Sequence, residues 1–157
     1  MRKKVDVVIA SDHAGFRLKE KMNVVLRRMK KKCLDAGTYS GNPADYPVYA
    51  MKACQAVASG LADRGILFCG TGIGMAIAAN KVPGIRAAAC YGTKTAKLSR
   101  DHNDANVLVL AGRITSASLA ARIIRIWLST KFNHAGRHCR RIDQITEIEK
   151  IYSKKYR

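Results

Sequence analysis

Residues 65–80 read GILFCGTGIGMAIAAN, and this segment alone indicates a protein of the α/β class. The apolar run over 66–69 predicts a buried strand, and the alanine-rich run that ends at Asn80 predicts a helix. Between them, the G-x-G-x-G spacing over 70–74 predicts a tight turn in which backbone N–H groups can approach an anion. The spacing matches neither G-x-G-x-x-G nor a Walker A loop, so an ordinary dinucleotide or P-loop site is not expected.

The same alternation of strand and helix continues on both sides of this segment. Apolar, β-branched runs predict four further strands, over 5–10, 33–36, 86–90 and 106–111. Apolar residues at helical spacing predict further helices, over 14–32, 46–61, 93–100, 116–130 and about 140–152. This order predicts a single doubly wound α/β domain over residues 1–157, with a five-stranded parallel sheet flanked by helices in a Rossmann-like arrangement.

The ends of the predicted strands mark the candidate site, because doubly wound sheets bind ligands beyond the carboxyl ends of their strands. Asp12 and His13 follow the first strand. Cys69 ends the third strand, and Arg113 follows the fifth. A cysteine beside a helix N-terminus ionises more readily, so Cys69 is a candidate base; the alternative is an inert thiol in the core. The hydroxyl of Thr71 either contacts the same ligand or caps the helix.

Two histidines occupy polar turns rather than apolar faces. Either His13 or His102 can act as an acid, a base or a ligand for an anion near neutral pH. The alternatives are a bystander next to a helix-capping Asp12 for His13, and a solvated loop residue for His102. His13 and His102 lie far apart along the chain and do not have the H-x₃-H spacing typical of zinc, so no metal site is expected.

A basic segment near the end of the chain, RHCRR over 137–141, is a candidate phosphate site. Arg137 and Arg141 are four residues apart, so they share a face if a helix begins here, and each guanidinium offers a forked donor. The alternative is an exposed basic helix start, which the helix dipole disfavours unless an anion neutralises it.

The net charge of the chain is unusually high. Lys and Arg number 29 against 11 Asp and Glu, which gives +18, and the excess is concentrated over 1–32 and 122–157. Such a field attracts anions of any kind, including nucleic acid and phosphorylated metabolites. Aromatic residues make up only 6% and do not alternate with the basic runs, so nucleic acid is not the expected partner.

Cysteine usage and hydropathy indicate a cytoplasmic protein. The five cysteines are odd in number and widely spaced, which is typical of a reducing compartment. No apolar run approaches the ~20 residues that a membrane span requires, so no membrane association is expected.

Six motifs in order along the chain closely resemble those of the type B ribose-5-phosphate isomerases, a family that also includes galactose-6-phosphate and allose-6-phosphate isomerases. They are SDHAGF at 11–16, ADYP at 44–47, CGTGIG at 69–74, ANKVPGIR at 79–86, SRDHNDANVL at 99–108 and GRHxxR at 136–141. The resemblance covers about residues 4–150. One departure is NHAG over 133–136, where the family usually has Gly-Gly before Arg-His.

The resemblance implies an aldose–ketose isomerase that interconverts ribose 5-phosphate and ribulose 5-phosphate through an enediolate, without metal or redox cofactor. Cys69 matches the family's catalytic base and His102 the acid that opens the furanose ring, with Thr71 as a third catalytic candidate. The expected substrate-binding residues are Asp12, His13, Tyr46, Gly70, Gly72, Gly74, Asn103, Arg113, Arg137 and Arg141. The family also implies a homodimer or tetramer with the site at the subunit interface, where the last helix packs on the partner.

Two alternatives remain open at this point. One is a hexose-6-phosphate isomerase acting on allose or galactose 6-phosphate. The other is a basic polyanion-binding protein on the same scaffold, which would bind nucleic acid with steep salt dependence and tolerate loss of Cys69.

Overall fold

Five parallel strands form one sheet in the computed structural model, which describes residues 4–153. The strands are β1 (Val5–Ser11), β2 (Cys33–Asp35), β3 (Ala62–Cys69), β4 (Ala87–Ala89) and β5 (Val107–Ala111). Their order across the sheet is β2-β1-β3-β5-β4, and every adjacent pair is parallel. The predicted doubly wound, five-stranded architecture is therefore confirmed.

Six helices connect and follow the strands. They are α1 (Phe16–Arg28), α2 (Tyr46–Ala58), α3 (Ile73–Ala79), α4 (Thr93–Asp101), α5 (Ala117–Ser129) and α6 (Gly136–Ser153). Helices α1, α4 and α5 share a hydrophobic core with one face of the sheet, and α2 and α3 share a second core with the opposite face. The direction of winding changes between β1 and β3, since α1 and α2 lie on opposite faces, and this switch point is where such folds bind ligands. No helix within 4–153 is both long and apolar enough to cross a bilayer.

Three boundaries differ by four residues from those predicted by hydrophobic periodicity, and α2 ends at Ala58, three residues before its predicted end. Strand β3 begins at Ala62, four residues before the apolar run, because its pairing with β1 includes Ala62 and Arg64. Helix α1 ends at Arg28, since Lys30 adopts a left-handed φ of 57° that a helix cannot continue through. Helix α6 begins at Gly136 rather than at about residue 140, so the whole basic segment over 137–141 lies in its first turns.

The short edge strand β2 is tied to α1 by a buried ion pair. The Lys19 ammonium is completely buried and lies 2.6 and 2.7 Å from the two carboxylate oxygens of Asp35. A buried charge requires such a partner, because an isolated ammonium loses its hydration without compensation. The pair fixes the start of the loop that leads from β2 past the carboxyl ends of the strands.

Candidate active site

The carboxyl ends of β1 and β3 meet in a crevice whose floor is backbone. Ser11 is in register with Phe68, and Cys69 is in register with Ala111 of β5. A Cβ atom added to Gly15 would lie 2.4 Å from the carbonyl carbon and oxygen of Phe68, so only glycine fits there.

The loop after β5 also packs closely against the backbone of this crevice. A Cβ atom on Gly112 would lie 2.7 Å from the carbonyl oxygen of Ala14. The carboxylate of Asp12 accepts a hydrogen bond from the N–H of Gly15 at 2.9 Å, which fixes the turn into α1. The loops after β1, β3 and β5 are therefore packed against one another before any ligand arrives.

Cys69 lies at the mouth of the glycine turn. Its side chain is only 4% exposed, and its Sγ accepts the N–H of Gly72 at 3.2 Å. Gly72 is the N-cap residue of α3 and has a φ of +83°, a conformation that favours glycine. The Tyr91 hydroxyl donates to the carbonyl oxygen of Thr71 at 2.8 Å, and the Thr71 hydroxyl accepts from the N–H of Ile73 at 3.4 Å. Both contacts hold the turn in the shape that presents the thiol.

Three other predicted site residues surround this turn. The Tyr46 ring covers Gly74 so closely that a Cβ atom there would lie 2.9 Å from its Cζ. A Cβ atom on Gly70 would lie 3.6 Å from the Cδ of Arg113. His13 and Arg113 line a cleft of about 590 Å³ beside the crevice. The Nδ1 atom of His13 lies 3.2 Å from the backbone nitrogen and 3.3 Å from the carbonyl oxygen of Ala44, so the backbone of Ala44 holds the ring in place.

The other cysteines of the sheet region serve the core rather than chemistry. Burial raises the pKa of Cys33 and of Cys54 to about 12, with a further contribution from Asp35 at Cys33. Burial also raises the pKa of Cys90. These three thiols stay protonated near neutral pH. Between residues 4 and 153, no group of three or more His, Cys, Asp or Glu side chains is arranged to hold a metal ion.

The remaining predicted residues form a second group at the amino end of the sheet. His102 is the C-cap residue of α4, and Asn103 follows it. The His102 ring stacks on the ring of His138 with centroids 4.4 Å apart and planes inclined by 12°. Arg137 and Arg141 lie on either side of His138 in the first turns of α6.

Ion pairs and backbone contacts hold this second group in place. Asp104 pairs with Arg86 at 2.9 Å and with Arg100 at 2.7 Å, and the Arg86 Nε also donates to the Asn103 carbonyl at 3.2 Å. The N–H of Asn133 donates to the Asp101 carbonyl at 2.9 Å, which ties the loop before α6 to the end of α4. The loop that carries His102 is therefore a rigid support.

The two groups of predicted residues do not meet within one chain. Each helix returns from the carboxyl end of one strand to the amino end of the next, so Cys69 and His102 lie at opposite ends of the sheet. The ends of the five-residue β5 are about 13 Å apart at about 3.3 Å per residue. Neither the His102 ring nor the arginines of α6 reach the Cys69 thiol of their own chain.

Sequence reasoning did not select two residues that shape the site. His138 is buried against His102, and its pKa is lowered by burial and by the neighbouring His102, Arg137 and Arg141. The signal was available, since His138 lies inside the Gly-Arg-His-x-x-Arg motif. Tyr91 carried no comparable signal, because only the fold brings its hydroxyl to Thr71.

Comparisons with known proteins agree with this fold. The model of the ribose/galactose isomerase family matches residues 7–145. Ribose-5-phosphate isomerase B of Escherichia coli is 44% identical over 143 residues, which covers 91% of this chain and 95% of the relative. The Clostridium thermocellum ribose-5-phosphate isomerase B structure matches with a TM-score of 0.92 at 46% identity, over 94% of this chain and 99% of that one.

A third match comes from a structure that holds a sugar phosphate. Ribose-5-phosphate isomerase B of Mycoplasma genitalium, solved with bound ribulose 5-phosphate, matches with a TM-score of 0.86 at 40% identity. The match covers 92% of this chain and 96% of that one. The resemblance in the motifs is thus confirmed over nearly the whole chain, and the chain belongs to the ribose/galactose isomerase family.

Proposed function

We propose that the chain interconverts ribose 5-phosphate and ribulose 5-phosphate at a site shared between two copies. One copy supplies Cys69 and the glycine turn, and the other supplies His102. The separation of these two residues within one chain is the observation that carries the proposal. Relatives named for this reaction support the choice of substrate.

The carboxyl-end group suits the proton transfer between two carbons of the sugar. The proton next to a carbonyl is weakly acidic, so its removal needs a positioned base and donors for the enediolate oxygens. Cys69 acts as the base that removes the C2 proton and returns it to C1. Backbone N–H groups of the turn over 70–74 stabilise the developing negative charge, and the Thr71 hydroxyl adds a further donor.

The amino-end group suits ring opening and phosphate binding. His102 of the partner subunit transfers the proton that opens the furanose ring. His13 and Arg113 bind the phosphate from one side of the cleft, and the partner's Arg137 and the partner's Arg141 bind it from the other. Two forked guanidiniums on successive turns of α6 match the oxygens of a phosphomonoester. Binding the remote phosphate orients the sugar for the proton transfer.

Exposed apolar side chains support association of two copies. Helices α2 and α3 expose Val48, Met51, Ile73 and Ile77 on their outer side. Of the side chains on α6, only that of His138 is buried, and its outer face carries Ile145, Ile148, Ile151 and Tyr152. We expect both surfaces to be covered in a homodimer. All five cysteines are free, which supports a reducing compartment, the cytoplasm.

The first experiment is conversion of ribose 5-phosphate by the wild-type chain and by Cys69→Ala. We expect turnover to fall by about 10²–10⁴-fold in the variant, since it loses its acid–base group. Cys33→Ala removes a remote thiol and serves as the matched control with wild-type turnover. Undiminished activity in Cys69→Ala would show that Cys69 is not the base. Allose and galactose 6-phosphates assayed in parallel determine whether the enzyme prefers pentoses.

The second experiment tests the shared site by mixing two inactive chains. Cys69→Ala and His102→Ala are co-expressed with different tags, and the hybrid is purified through both tags. A hybrid dimer with shared sites has one site that lacks both residues and one site that keeps both, so it recovers about half of wild-type activity. If each site lay within one chain, the hybrid would be as inactive as its parents.

A further inference from the structure

The outer side of the layer formed by α1, α4 and α5 concentrates positive charge. Eight Lys and Arg side chains on these helices are exposed, and we call this surface the basic face: Arg17, Lys21, Arg27, Arg28, Lys94, Lys97, Arg122 and Arg125. The one exposed acidic side chain on these helices is Glu20, which pairs with the buried Lys19 at 3.1 Å.

The charges of the basic face are not neutralised by the protein. None of the eight side chains forms an ion pair or a side-chain hydrogen bond with residues 4–153. Residues 1–3 and 154–157 contain no Asp or Glu side chain that could pair with them. The opposite layer differs sharply, because α2 and α3 carry Lys52 as their only charged residue.

The dimensions of the basic face fit a double helix. Helices α1 and α5 are each 13 residues long, about 20 Å at 1.5 Å per residue. Helix α5 packs against both α1 and α4, so three helices at 8–10 Å spacing span about 20 Å across. A duplex carries one phosphate charge per ~1.7 Å, so about 12 phosphates lie along this length.

The chemistry of the basic face favours phosphate backbone over lipid or single strands. The one large apolar side chain exposed on these three helices is Val24, and no aromatic residue is exposed there. Helices that lie on membranes insert Trp, Phe or Leu, and proteins that hold single strands stack bases on aromatic rings. A flat helical surface with cations alone can contact phosphates without reading bases.

We propose that the basic face binds double-stranded nucleic acid through its phosphates, independently of base sequence. Arg17 also lines the cleft that contains His13 and Arg113, whereas the other seven cations of the basic face do not line it. The reaction requires only a few cations for one phosphomonoester, so the basic face is not explained by catalysis. The sequence alone led to the opposite expectation, because it does not show which basic residues share a surface.

The test measures fluorescence anisotropy of labelled DNA and RNA duplexes of about 24 base pairs with the purified full chain between 50 and 200 mM NaCl. If five of the eight cations contact phosphates, the slope of log K against log [NaCl] is about −4.5. Equal affinity for duplexes of unrelated sequence is expected. A slope weaker than about −2 would overturn the proposal.

Two matched variants separate the basic face from net charge. Arg122→Glu with Arg125→Glu reverses two charges on α5, and we expect at least about tenfold weaker binding and a slope reduced by about 1.8. Lys81→Glu with Lys150→Glu reverses two charges elsewhere and should weaken binding less than about threefold. Equal losses in both variants would show attraction by net charge alone.

Two further measurements complete the test. Ribose 5-phosphate conversion by both variants confirms their folding, and Arg122→Gln with Arg125→Gln is the milder replacement if the reversal variant fails to fold. Vesicles containing about 30% phosphatidylserine provide a competing anionic surface. Tighter binding to these vesicles than to either duplex at the same salt concentration would assign the basic face to membranes and contradict the proposal.

Discussion

The two helical layers pack on the same sheet with opposite kinds of side chain. The α1/α4/α5 layer contributes large side chains to its core, including Leu18, Met22, Ile123 and Trp127. The α2/α3 layer contributes mostly small ones, including Ala50, Ala53 and Ala79. Small side chains let helices approach a sheet closely. Within this layer, α3 begins directly after the glycine turn beside Cys69.

The outer surfaces differ as much as the cores. The α2/α3 layer exposes Ile73 and Ile77 with few charges, whereas the α1/α4/α5 layer exposes the basic face. Covering an apolar surface with another protein surface lowers the free energy. Covering a charged surface raises it, because the charges lose their hydration. The outer surface of one layer is therefore suited to being covered by another protein surface, and that of the other layer is suited to water and anions.

The largest expected effect concerns the large-residue core. Trp127 is completely buried, with the guanidiniums of Arg64 and Arg100 5.4 and 5.8 Å from its ring. We expect Trp127→Ala to lower the free energy of unfolding by about 3–5 kcal/mol, because removing the buried ring leaves a cavity in the core. Both guanidiniums also lose the ring that they contact. Urea denaturation measures the loss. A loss below about 1 kcal/mol would mean that the layer repacks around the cavity.

The second prediction concerns the apolar outer surface. Ile73→Asp with Ile77→Asp should prevent association and lower kcat/KM by more than about 100-fold, or about 2.7 kcal/mol, because the partner's His102 is lost. Light scattering after gel filtration measures the mass, and ribose 5-phosphate turnover measures activity. Arg122→Ser with Arg125→Ser, on the other layer, is the control and should keep both. A fully active monomer would show that activity does not require association through the outer surface of the α2/α3 layer.

The third prediction concerns the small-residue core. Ala53 is buried where α2 packs on the sheet, and Ala53→Leu adds three carbons to a site without space for them. We expect a loss of about 1–3 kcal/mol in the free energy of unfolding. Ala58→Leu, at an exposed position of the same helix, should change it by less than about 0.5 kcal/mol. Similar values for both variants would show that the small residues are not needed for close packing.

The smallest expected effect is a pH dependence at the start of α6. Because the pKa of His138 is lowered in the folded chain, the unfolded chain binds more protons as pH falls below about 6.5. Wild type should therefore lose more thermal stability between pH 7 and pH 5 than His138→Gln does. His134→Gln, at an exposed histidine, should behave like wild type. Thermal melts at both pH values measure the difference.

Hydrophobic periodicity predicted every strand and helix, and its errors have local causes. The strand over 66–69 extends back to Ala62 because backbone pairing with β1 continues past the apolar core. Helix α6 was placed too late, since Gly136 and the arginines that follow resemble a loop. Backbone hydrogen bonding, rather than side-chain pattern, determines such ends.

The sequence predicted only in part which of the candidate site residues lie close together. Strand ends located Asp12, Cys69 and Arg113 correctly, because parallel strands bring their carboxyl ends together. His102 follows a helix rather than a strand, which places it at the other end of the sheet. The order of strands and helices along the chain contains this information about His102. It can be used only when the connections between the strands are known.

Both lateral edges of the sheet end in strands of only three residues, β2 and β4. A long unpaired edge is a template for strand addition and therefore for aggregation or amyloid-like stacking. Three residues offer too few backbone groups to recruit another chain, and the buried Lys19–Asp35 pair holds β2 in place. Growth of the sheet from copy to copy is disfavoured, which leaves side-chain packing between helices as the route by which the proposed dimer would form.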